Sequence, residues 1–63
     1  MKNINDINNL KIGDLLFFKA INCKNHFDLI LQIKNNSIEV YCLYENKKLF
    51  LSTDQLIKNF YIL

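Results

Sequence analysis

With no proline and a single glycine, Gly13, in 63 residues, this chain must reverse direction almost wholly at asparagine and aspartate. After glycine, those residues best tolerate a left-handed backbone. They recur at short intervals and cut the chain into pieces of strand length. Ile4, Ile7 and Leu10 stand three apart among Asn and Asp, which predicts an irregular or one-turn helical arm over residues 1–10. Residues 11–63 form the remaining domain. Gly13-Asp14 opens a short aromatic run over residues 15–21, and a polar loop, Asn22-Cys23-Lys24-Asn25-His26, follows it. Further strands are predicted over residues 27–34, 37–44, 47–51 and 60–63, with tight reversals at Asn35-Asn36 and Glu45-Asn46. Ser52-Thr53-Asp54 ahead of Leu56 supplies capping residues for a short helical turn before the last strand.

If both reversals are two-residue hairpins, side-chain directions follow by counting. Ile33 then faces Ile38, Leu31 faces Val40, Leu29 faces Cys42, and Cys42 faces Leu49. The expected core is Leu29, Leu31, Ile33, Ile38, Val40, Cys42, Leu49 and Leu51, completed by Leu16, Phe18, Leu56, Phe60 and Ile62. The same counting sends Ile30, Tyr41 and Phe50 to the outer face as a row, beside a second row of Asp28, Leu43 and Lys48. An apolar row on a nominally solvated face marks a contact surface. Ile30, Tyr41, Leu43, Phe50 and Lys48 are therefore the expected interaction residues, unless the N-terminal arm folds over them.

Five short strands, two hairpins and a helical turn before the last strand describe an all-β, five-stranded SH3-like barrel. The stretches Ile12-Gly13-Asp14-Leu15-Leu16, Leu29-Ile30-Leu31-Gln32-Ile33, Ile38-Glu39-Val40-Tyr41-Cys42 and Asp54-Gln55-Leu56 resemble small bacterial and phage proteins of that class, including KOW and Tudor-like barrels. Phe27-Asp28 stands where many members begin the second strand with glycine. The resemblance implies a binding module, with a phage- or mobile-element-type accessory or inhibitor protein as the leading expectation. Such a protein would act by protein–protein contact on the outer face and by self-association as a homo-oligomer.

Composition narrows the alternatives. About half the residues are hydrophobic, so the chain is not a disordered tail. No apolar run approaches the roughly 20 residues of a membrane span, and the first six residues carry no signal-like stretch. A cytoplasmic location is expected, the host's if the chain is phage-encoded, with no membrane partner. All eight basic residues are lysines and the net charge is only +2. Without arginine's planar fork, sequence-specific DNA reading is disfavoured. RNA or single-strand binding by Lys47, Lys48, Tyr41 and Tyr44, through stacking and phosphate attraction, is the alternative function. A nucleotide or other small ligand held at a subunit interface is a third.

Cys23 and His26 stand at a ligand spacing, and Cys42 with Asp28 would complete a set of four. Because Cys42 is expected to face the core, away from Cys23, no metal or other cofactor is expected. Cys23 with His26 lacks an orienting third group and a closed pocket, so no catalytic residues are expected and the chain is read as a non-enzyme.

Overall fold

The computed structural model describes residues 2–19 and 26–63. Over these residues the protein is mostly β, with six antiparallel strands in one sheet and one short helix. The strands are β1 (Lys2–Asn3), β2 (Leu15–Phe18), β3 (Phe27–Ile33), β4 (Ser37–Cys42), β5 (Lys47–Ser52) and β6 (Phe60–Ile62), and the helix is α1 (Thr53–Asn59). Their order across the sheet is β1-β6-β2-β3-β4-β5. The sixth strand comes from the arm, where Lys2 pairs with Ile62 and Asn3 with Tyr61. Among the described residues the sheet is open, with β1 and β5 as its edges. The interval between β5 and β6 is bridged by α1, which packs on both.

Each connection has a local cause. Residues 11–14 close as a turn in which Gly13 adopts φ 94°, and the Lys11 N–H donates to the Asp14 carboxylate at 2.8 Å. Asn35-Asn36 is a two-residue hairpin bounded by the reciprocally bonded Lys34 and Ser37. The next reversal is longer than counting predicts. Cys42 pairs with Lys47, so the loop comprises residues 43–46, closed by the Asn46 N–H on the Cys42 carbonyl at 2.7 Å. Asn46 supplies the left-handed residue that this closure requires, at φ 60°. The two-residue displacement keeps Leu49 and Leu51 on the inner face, opposite Val40 and Ile38.

Helix α1 begins at a capping box. The Ser52 hydroxyl accepts from the Gln55 N–H at 3.1 Å, and the Gln55 side chain accepts from the Ser52 N–H at 3.0 Å. Leu56 is the helix's one buried residue. Replacing Ser52 with alanine is expected to lower stability by about 1 kcal/mol, read as a lower denaturation midpoint with the helix content otherwise unchanged.

The main departure from the expected register lies in β3. Ile33 pairs with Ile38 and Gln32 with Glu39, but Ile30, not Leu31, pairs with Val40. The shift is a β-bulge at Leu31, where one residue of β3 has no counterpart on β4. Neither Asn35 nor Asn36 is left-handed, so their hairpin is not of the primed type whose twist matches the strands. A bulge close upstream restores local twist. Its effect on side chains is a change of parity: beyond the bulge, Ile30 and Asp28 point inward, and Leu29 and Leu31 do not.

The core therefore consists of Leu16, Ile30, Ile38, Val40, Leu56 and Phe60, with Ile4 and Leu10 of the arm and the Cys42 side chain. Phe18, Ile33, Leu49, Leu51 and Ile62 pack against it. Leu29 and Leu31, expected inside, are only half-buried. The arm and α1 cover the same inner face. Ile7–Asn9 forms one 3-10 turn capped by Asp6, which holds Ile4 and Leu10 over the core. The arm does not fold over the outer face.

Candidate functional site

The expected outer row of Ile30, Tyr41 and Phe50 does not form. Ile30 is 1% exposed in the core, and Phe50 pairs with Glu39. Asp28 has likewise left the second row for the interior. Leu43 and Phe50 are exposed, Tyr41 is half-buried, and Lys48 lies opposite Tyr41 on the outer face.

A different apolar surface takes the place of that row. Leu15, Leu29 and Tyr41 lie side by side across β2, β3 and β4, and the row ends at Lys48 on β5. Beside it, Tyr61, Phe17 and Phe27 line up across β6, β2 and β3, with the two phenylalanine rings 5.2 Å apart. All six are partly exposed. At the far end Lys19 sets its ammonium 4.9 Å from the Tyr61 ring centre. The surface is thus apolar in the middle and bordered by a lysine at each end.

On the inner face, the bulge brings together three residues that counting had separated. Alternation through the start of β3 places His26, Asp28 and Ile30 on one side, and Asp28 pairs directly with Cys42 of β4. His26 Nε2 lies 3.3 Å from Cys42 Sγ and 3.4 Å from Asp28 Oδ1. The imidazole is fixed by aromatic contacts: Phe18 tilts against it at 4.9 Å, and Tyr44 stacks on it at 5.1 Å and 14°. Tyr44 reaches that position because the 43–46 loop is two residues longer than expected.

The electrostatics of this cluster are unusual. Asp28 is 0% exposed, and neither of its oxygens has a well-formed hydrogen bond among the described residues. His26 Nδ1 is also buried and has no hydrogen-bond partner among the described residues. Burial pushes the Asp28 carboxyl above its ordinary range, and the neighbouring His26 and Cys42 side chains pull it back only in part. Burial raises the Cys42 thiol as well, against the Glu45 N–H that donates to its sulfur at 3.4 Å. A pocket of about 290 Å³ is lined by His26 and Asp28 of the cluster together with Phe18, Leu49, Leu51, Gln55, Asn59 and Phe60.

Sequence reasoning had named all three residues but rejected the grouping. Counting places Asp28 outside, and the ligand set it weighs includes Cys23, which lies outside the described residues. The available signal was His26-x-Asp28 at strand spacing ahead of an apolar run. Both Cys42 and Asp28 approach the same imidazole nitrogen, so the three do not form the nucleophile–base–acid relay of hydrolases, in which each partner takes a different nitrogen.

Of the nucleic-acid candidates, Tyr44 has one ring face occupied by His26, and Lys47 pairs with Glu45 at 3.6 Å. Among the described residues no helix is long and apolar enough to cross a membrane. No family model, no curated protein and no solved structure matches the chain, and its functional reading therefore rests on this geometry.

Proposed function

We propose that the chain is a non-enzymatic binding module of SH3-like type that engages a partner protein through the outer face of its sheet, as an accessory or inhibitor occupying that partner's surface. The strand order β6-β2-β3-β4-β5, with α1 bridging the two ends, supports the SH3-like reading. The reading of function rests on one observation: two adjacent apolar rows, Tyr61-Phe17-Phe27 and Leu15-Leu29-Tyr41, lie on the face opposite the one that the helix and arm cover. A sheet with one covered face ordinarily carries polar residues on the other. An apolar centre with a charged rim is the anatomy of a protein interface. Lys19 and Lys48 at its ends call for a partner whose own apolar patch is bordered by carboxylates.

The test is recovery of partners with the tagged chain from its native cell, compared among variants. Phe27→Ser and Tyr41→Ser are expected to lose a protein that the native chain retains, whereas Ile57→Ser, exposed on α1, keeps it. Recovery indifferent to both outer-face changes, or abolished by nuclease, would remove this reading.

A further inference from the structure

We propose that His26 Nε2, Cys42 Sγ and a carboxylate oxygen of Asp28 bind a divalent transition metal, Zn²⁺, whose fourth coordination position faces the pocket between β5 and α1. The site is on the inner face and is independent of the outer surface described above. Three observations carry it.

The first is geometry. The three donor atoms lie within 4.8 Å of one another, with the nitrogen 3.3 Å from the sulfur and 3.4 Å from the oxygen. Tetrahedral zinc with its usual bond lengths, roughly 2.0–2.3 Å, sets neighbouring donors about 3.5 Å apart. The second is the orphaned carboxylate. A fully buried Asp28 that has the His26 imidazole at 3.4 Å and the Cys42 thiol beside it, but no well-formed hydrogen bond among the described residues, is expensive to keep. The backbone spends a bulge to bring it inside, moving Leu29 and Leu31 out of the core to do so. Bulges beside functional sites re-aim side chains in this way.

The third is charge. One thiolate and one carboxylate neutralise the two positive charges of the ion, and a neutral imidazole adds none. Binding releases the Cys42 thiol proton to solvent and leaves the site with no net charge. The mixed sulfur, nitrogen and oxygen set favours zinc over calcium or magnesium, which take oxygen ligands. With three protein ligands, a water or a donor atom of a small ligand completes the tetrahedron from the pocket side. Phe18, Leu49, Leu51 and Phe60 give the lining its apolar part, and Gln55 and Asn59 contribute to it as well.

The experiment uses the whole chain, stripped with a chelator and titrated with Zn²⁺ and with Co²⁺. The expected result is one ion per chain, with a sulfur-to-cobalt charge-transfer band and the visible absorption of tetrahedral cobalt. Cys42→Ser is expected to abolish the charge-transfer band. Asp28→Asn, which removes a buried charge and so should fold, is expected to weaken zinc binding more than about tenfold, and His26→Ala to do the same. Failure to bind at one per chain would overturn the proposal. So would an Asp28→Asn variant that binds as tightly as the native chain, or a charge-transfer band that survives in Cys42→Ser, since the sulfur would then be that of Cys23.

Discussion

Ile30→Ala is expected to destabilise the protein by about 2–5 kcal/mol, the range for truncating a fully buried aliphatic side chain. A chain of this size holds only some 3–9 kcal/mol in total, so much of the variant should be unfolded at room temperature. The neighbouring change, Leu31→Ala, is expected to cost only about 1 kcal/mol, because Leu31 is the half-buried extra residue of the bulge. Urea denaturation of the two variants, followed by circular dichroism, decides the register of β3. Without the bulge the order would invert, since Leu31 would then point into the core and Ile30 to the outside.

The second large effect is a change of sign at Asp28. Without metal, Asp28→Asn is expected to raise stability by about 1 kcal/mol, because a neutral side chain replaces a buried carboxylate that only the His26 and Cys42 side chains offset. For a domain this small, each kcal/mol moves the thermal midpoint by about 4–8 °C. With zinc present the ranking should reverse. A ligand at a hundred times its dissociation constant stabilises the native state by about 2.7 kcal/mol, and a variant that binds at least about tenfold more weakly forfeits about half of that gain or more. Thermal melts of both proteins, with chelator and with zinc, should therefore cross. A variant less stable than the native chain under both conditions would mean that Asp28 is paired in the free protein.

Much of the fold was readable where pattern and parity were unambiguous. Ile38, Val40 and Cys42 alternate strictly with Glu39 and Tyr41, and all three are buried. Ser52 and Gln55 mark the start of α1, and Asn35-Asn36 turns where two adjacent asparagines invite it. The strand that defeated counting is the one with three consecutive apolar residues, Leu29-Ile30-Leu31. Such a run fits either face equally well, so nothing local reports a bulge within it. The candidate metal site was lost for the same reason, compounded by a sound general rule that an aspartate belongs outside unless it is paired. The arm was obscure on different grounds. Ile4 and Leu10 reach the core through a single 3-10 turn, and the two-residue β1 exists only because β6 offers it an edge. Both are tertiary facts, with no repeating signature along the chain.

The open edge at β5 has a consequence for how these molecules behave in a crowd. Along its six residues, alternate backbone groups face away from β4 and offer a template on which another chain could stack and begin a fibril. Here the strand starts with Lys47 and Lys48, both exposed, and runs at its other end straight into α1. Like charges meet if two such edges approach in parallel, and the helix obstructs the far end. Ribbon-like growth is discouraged at both ends of the strand.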